Sequence, residues 1–201
     1  MGKITVFNFV SLNGFFEGPK HDTSWAHARD ESGYADEMLA RGDTLLFGRK
    51  TYELMASYWP TPAAEKNSPT VANGMNAAPK IVFSRTLKSA DWNNTTIVRA
   101  NIVDAAQKMK AADENMTLLG SGSIVTLFTQ EGLIDEYQLM IHPLALGGGT
   151  PFLKGLKHSL DLKLIATRNF NSGNVLLRYQ PAAAAAKPQA SDFEFETALT
   201  S

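Results

Sequence analysis

Leu45-Leu46-Phe47-Gly48-Arg49-Lys50-Thr51-Tyr52 is the stretch on which the reading of the fold turns. Three apolar residues suited to a buried strand stop at a glycine. A helical pattern then begins at Lys50 and runs to Trp59, with Tyr52, Met55, Ala56 and Trp59 inward. The same order returns at Leu118-Leu119-Gly120-Ser121-Gly122-Ser123, which runs straight into Ile124-Val125-Thr126-Leu127-Phe128. Backbone N–H groups at a helix start have no intrahelical partner, and the helix dipole makes that end positive. Such a turn accepts phosphate readily. Two of them, one carrying Arg49 and Lys50, point to a ligand with several phosphates, such as a nucleotide.

Outward from these turns, strand and helix alternate. Strands are expected at Ile4 to Val10, Thr44 to Phe47, Lys80 to Ser84, Thr95 to Val98, Met116 to Leu119 and Glu136 to His142. Helices are expected from about Asp30 to Arg41 with Tyr34, Met38 and Leu39 inward, and from Val103 to Ala112. A third runs from Ser123 to Glu131, and Gly42 and Gly132 are fitting stops. Residues 15–29 show no clear period. Pro60 and Pro62 end the helix at Trp59, and the polar stretch from there to Pro79 reads as a loop. After the Gly147-Gly148-Gly149 loop, Leu160 to Thr167 and Val175 to Tyr179 read as a hairpin around Asn171-Ser172-Gly173-Asn174. The pattern predicts a three-layer α/β/α sandwich with a mostly parallel sheet and an antiparallel C-terminal hairpin.

Residues 1–180 read as one domain and 181–201 as an Ala/Pro linker and tail. Phe193-Glu194-Phe195-Glu196 alternates like a strand, so the tail is either loosely held or lies on a sheet edge of its own or a neighbouring subunit. Of the 201 residues, 44% are hydrophobic and 19% charged, as in an ordinary globular domain, and the net charge of −1 gives no reason to expect nucleic acid or an anionic membrane. Without cysteine the chain has no disulfide, thiolate metal site or thiol nucleophile, and its four histidines show no metal-ligand spacing. Met1-Gly2-Lys3-Ile4-Thr5 enters a strand directly, and no apolar stretch approaches the roughly 18 residues that span a bilayer. A cytoplasmic protein is expected.

Five segments resemble the dihydrofolate reductase-like family, most of all the reductase domain of the riboflavin-biosynthesis deaminase-reductase and its stand-alone relatives. They are Val10-Ser11-Leu12-Asn13-Gly14-Phe15, Phe47-Gly48-Arg49-Lys50-Thr51-Tyr52-Glu53, Val82-Phe83-Ser84-Arg85-Thr86-Leu87, Gly120-Ser121-Gly122-Ser123 and Pro143 to Leu153. They occur in the family order over residues 3–180. The resemblance implies NADPH as cofactor, with Gly48, Arg49, Lys50, Thr51, Ser84 and Arg85 gripping the pyrophosphate and the 2′-phosphate. Gly120, Ser121, Gly122 and Ser123 would let the backbone approach the pyrophosphate, since glycine has no Cβ in the way. The segment from Ser11 to Phe16 would cover the nicotinamide, with Asn13 and Gly14 near the ring.

The activity implied is hydride transfer to a heterocyclic or ribosylated substrate, as in 5-amino-6-(5-phosphoribosylamino)uracil reductase. The alternative is a catalytically silent nucleotide-binding protein on the same fold. Dihydrofolate reductases place a carboxylate on the helix before the Gly-Arg turn, and the ungapped position here is Ser32. Asp30, Glu31 and Asp36 lie close by, and Glu31 is the candidate acid. Lys20, His21, Lys66 and Ser68 are candidates for a substrate phosphate, and Trp25 and His27 for the cleft wall, while His142 reads as structural. The zinc deaminase half has no counterpart, because its ligand set needs cysteine. The resemblance carries a homodimer, with Glu136 to Ile141 and the tail as candidate contacts.

Overall fold

A computed structural model describes residues 1–27 and 33–182 of the chain. Its main sheet has eight strands: β1 (Ile4–Ser11), β3 (Thr44–Gly48), β4 (Lys80–Phe83), β5 (Thr95–Val98), β6 (Met116–Leu119), β7 (Glu136–His142), β9 (Leu162–Asn169) and β10 (Val175–Pro181). The order is β5-β4-β3-β6-β1-β7-β10-β9. Every pairing from β5 to β7 is parallel, whereas β10 is antiparallel to both β7 and β9. The expected sandwich and its hairpin end are therefore present. β2 (Phe15–Glu17) and β8 (Thr150–Pro151) form a small second sheet.

Period-2 alternation sends neighbouring residues of each strand to opposite layers. Ile4, Val6, Leu46, Met116 and Leu118 pack in a cluster with Ala106 of α5 (Ile102–Ala111) and with Val125 and Phe128 of α6 (Gly122–Gln130). Leu45, Phe47, Val82 and Leu119 face the other way, onto Met38 of α1 (Tyr34–Leu39) and Tyr52 of α2 (Arg49–Tyr58). The chain leaving β3 thus turns to one face and the chain leaving β6 to the other. In an open α/β sheet, ligands bind in the crevice that this divergence leaves at the carboxyl ends of the strands.

The loop expected between Pro60 and Pro79 is instead two helices, α3 (Pro62–Asn67) and α4 (Pro69–Ala77). Proline at a first helical position lacks only a donor that would be unpaired anyway, so Pro62 and Pro69 start helices. The Thr61 hydroxyl accepts from the Ala64 N–H at 3.3 Å as a cap. Gly74 lets α4 approach α1 closely, because a Cβ there would stand 2.9 Å from Leu39 Cδ1. Residues 15–27, which show no period, hold β2 and two short 3₁₀ turns, Pro19–His21 and Ser24–His27. Asp30, Glu31 and Ser32 lie outside the described residues, as does Phe193-Glu194-Phe195-Glu196. Pro181 still pairs with Leu162, so β10 runs one residue into the stretch read as linker.

Lys80 is a buried cation inside β4, 1% exposed, with its ammonium donating to the Ala78 and Asn76 carbonyls at 2.6 and 3.2 Å. It also stands 4.6 Å from the centre of the Trp92 ring. Burial lowers its pKa to about 8 from 10.5. Between those values the unfolded chain binds more protons than the folded one, so stability rises with pH through that window. Urea unfolding at several pH values should show the wild type gaining on the order of 2 kcal/mol relative to Lys80→Met there. Parallel curves for the two chains would contradict this.

Candidate functional site

The two glycine turns meet at the carboxyl ends of β3 and β6. The Gly48 N–H donates to Ser121 Oγ at 2.6 Å, and the Ser121 N–H donates to Thr51 Oγ1 at 3.1 Å. Ser121 Oγ also lies 3.0 Å from Thr51 Oγ1. A Cβ on Gly120, whose φ is +55°, would stand 3.1 Å from Thr51 Cγ2, so this corner needs glycine twice over. The Ser121 hydroxyl is therefore the clasp between the turns. Neither α2 nor α6 has a capping side-chain bond, and neither carries an acid in its first turn. Their first N–H groups remain open to an acceptor from outside.

Cations surround this corner. Arg49 donates through Nε to Glu53 at 2.7 Å and through Nη1 to Thr86 Oγ1 at 2.9 Å. The Ser84 hydroxyl accepts from the Thr86 and Leu87 N–H groups at 3.2 and 3.0 Å, and so shapes the turn after β4. Arg85, on that turn, is exposed and makes no hydrogen bond or ion pair among the described residues. Arg99, just past β5, was not singled out in the sequence. Its guanidinium donates to the Leu87 and Lys88 carbonyls at 2.5 and 3.1 Å and braces the same turn. A single basic residue after a strand carries no local pattern; only the parallel pairing of β4 with β5 brings it here.

The segment after β1 crosses over the corner. Ser11 Oγ donates to Asn13 Oδ1 and accepts from the Phe15 N–H, both at 2.9 Å. Both ends of the Asn13 amide bond the Leu146 backbone, at 2.8 and 3.0 Å. Phe16 lies against Gly122: a Cβ there would be 2.7 Å from the end of its ring. Glu17 accepts from Thr150 Oγ1 at 2.6 Å and from His21 Nδ1 at 2.8 Å, and the Lys50 ammonium stands 3.2 Å from His21 Nε2. Of the candidates for a substrate phosphate, His21 and Lys20 thus belong to this strap, while Lys66 and Ser68 fall at the junction of α3 and α4.

The side of β1 and β7 beneath α1 is aromatic. The rings of Phe7 and Tyr34 lie 5.4 Å apart, and those of Tyr34 and Phe170 6.3 Å apart. His142, wholly buried, meets Phe9 and Trp25 edge-on, each at 5.2 Å. The Tyr34 hydroxyl donates to Gln138 Oε1 at 2.5 Å, and burial pushes its pKa up. Gln138 in turn donates to Glu136, which also accepts from Arg178 at 2.7 and 3.1 Å. Burial pushes the Glu136 carboxyl up, but the bonds from Arg178 and Gln138 outweigh it and hold the pKa low. A cavity of about 480 Å³ lies elsewhere, on the flank of α2 between Glu53, Ser57, Asp91 and Trp92.

Comparison with known proteins agrees with this fold. The profile of the RibD C-terminal domain matches residues 2–176. The uncharacterized protein YyaP of Bacillus subtilis (strain 168) is 34% identical over 171 residues, 85% of this chain and 90% of its own length. A crystal structure from Shewanella sp. PV-4, assigned by name to riboflavin biosynthesis, superposes with a TM-score of 0.72 at 23% identity, over 90% of this chain and 99% of that one. The diaminohydroxyphosphoribosylaminopyrimidine deaminase/5-amino-6-(5-phosphoribosylamino)uracil reductase of Thermotoga maritima gives a TM-score of 0.64 at 13% identity, over 90% of this chain and 57% of that one. At these identities the solved structures speak for the fold. Among the described residues, no helix is long and apolar enough to cross a membrane.

Proposed function

This chain belongs to the RibD C-terminal domain family, and from that premise we propose that it is an NADPH-dependent reductase of a heterocyclic or ribosylated compound. The observation that carries the reading is the clasp of the two glycine turns, which sets two uncapped helix starts side by side. The first-turn N–H groups at Arg49 and Lys50, and at Gly122 and Ser123, would hold the pyrophosphate, with Thr51 and Ser121 fixing the corner. Arg85, together with Arg49 and Ser84, would take the 2′-phosphate, where guanidinium geometry allows two parallel bonds. NADPH, when bound, supplies the hydride. The protein orients the reacting groups and keeps water out, with Asn13, Gly14 and Phe16 in the covering segment. Glu31 is retained as the candidate proton donor.

The partly exposed rings of Phe9 and Trp25 suit a flat ring, which favours a heterocycle over a substrate read chiefly through its phosphate. A cytoplasmic homodimer goes with the reading. One observation favours the silent nucleotide-binding alternative: Phe7, Phe9, Tyr34 and Phe170 fill the space beneath α1 with apolar rings. NADPH oxidation against a panel of pterins and aminouracils, with and without a ribose phosphate, separates the two. The reductase reading expects turnover with at least one heterocycle. Tight binding of NADPH with no oxidation across the panel would leave the silent protein in its place.

A further inference from the structure

We propose that His21 is a positioning residue for the phosphate corner, holding Lys50 while neutral and adding its own positive charge once protonated. The inference rests on the reading of the corner as a nucleotide site. His21 Nε2 stands 3.2 Å from Lys50 Nζ. An ammonium group only donates, so Nε2 is the acceptor and the neutral ring carries its proton on Nδ1. That proton is given to Glu17 Oε1 at 2.8 Å. Glu17 is itself held by Thr150 Oγ1 at 2.6 Å, across the pairing of β2 with β8. One chain of bonds therefore runs from β8 through β2 to the first turn of α2.

The backbone supports a dedicated placement. Lys20 and His21 have φ of +57° and +63°, two successive non-glycine residues in the left-handed region. Each such residue is disfavoured, and both are exposed, so no core packing calls for them. They lie in the turn from which the imidazole meets Lys50.

Protonation changes what the ring can do. Nδ1–H still donates to Glu17, but Nε2 becomes a donor and no longer accepts from Lys50. Two positive charges then stand side by side at the helix start, and an anion between them accepts from both. The charged groups in contact with the ring are Glu17 from β2 and Lys50 from α2, and Lys20 is its neighbour in the chain. A diphosphate bound at this helix start attracts the charged ring, so anion binding and proton uptake by His21 support each other.

The test uses the full chain and NADH, because the 2′-phosphate of NADPH titrates in the same range. Lowering the pH from about 8 to about 6 should tighten NADH binding roughly three- to fivefold. Calorimetry in buffers of different ionisation enthalpy should show proton uptake on binding. His21→Gln, whose side-chain oxygen can still accept from Lys50, should lose both the tightening and the uptake. Added inorganic pyrophosphate should move the NMR titration of His21 to higher pH. An equal pH response in the two chains, or a His21 titration unmoved by pyrophosphate, overturns the proposal. Failure of both chains to bind either nucleotide at any pH overturns the nucleotide reading and this one with it.

Discussion

A chain carrying Arg85→Ala binds NADPH at least about tenfold more weakly than the wild type and binds NADH within about twofold of it. The asymmetry follows from how the turn after β4 is built. Ser84 commits its hydroxyl to the Thr86 and Leu87 N–H groups, and Arg99 braces the same turn through the Leu87 and Lys88 carbonyls. The turn therefore keeps its shape without Arg85. Arg49 is already drawn toward Glu53, so Arg85 is the guanidinium on this turn that has no partner among the described residues to give up. Its loss removes a charge-assisted contact to the extra phosphate and leaves the pyrophosphate corner intact. Parallel fluorescence titrations with the two nucleotides measure both affinities. Equal losses would show that Arg85 does not read the 2′-phosphate.

Gly149→Ala lowers stability by about 3 kcal/mol or more and weakens nucleotide binding with it. A Cβ at this position would stand 2.0 Å from the Glu17 carbonyl oxygen and 2.9 Å from Gly18 Cα, and φ is +141°. These are backbone atoms, so no side-chain rotation relieves the contact. The strand pair β2 with β8 must open, which frees Glu17 and, through it, His21 and Lys50. Gly147→Ala serves as the control, because nothing lies within 4 Å of its Cβ position. Urea midpoints should separate the two alanine variants clearly. A Gly149→Ala chain as stable as Gly147→Ala would mean that the strap is not seated as described.

The sheet and its two glycine corners were legible because the information is local. Apolar strands such as Leu45-Leu46-Phe47 end on glycine and hand over to a 3.6-residue period within eight residues. The helices α3 and α4 were misread because proline is an ambiguous mark. Pro62 and Pro69 open helices here, and the clue was the Thr61-Pro62 pair at a helix start. The pairing of β2 with β8 that seats the strap was not legible. β2 and β8 are three and two residues long and 133 residues apart at the Glu17–Thr150 contact, too short for any period to register. Ser121 was seen as a phosphate ligand, yet its hydroxyl joins Gly48 to Thr51, a role that only the fold reveals. Arg99 and the contact of Lys50 with His21 likewise depend on segments brought together in space.

The central claim is that the clasped turns of Gly48 and Gly120 form one receptor for a dinucleotide's phosphates. NADPH titrated into the full chain, followed by nicotinamide fluorescence at about 0.05 and about 0.5 M salt, tests it most directly. The account predicts saturable binding of one nucleotide per chain, weakened at the higher salt as Arg49, Lys50 and Arg85 are screened. Absence of saturable binding at low salt, or binding indifferent to salt, would contradict it.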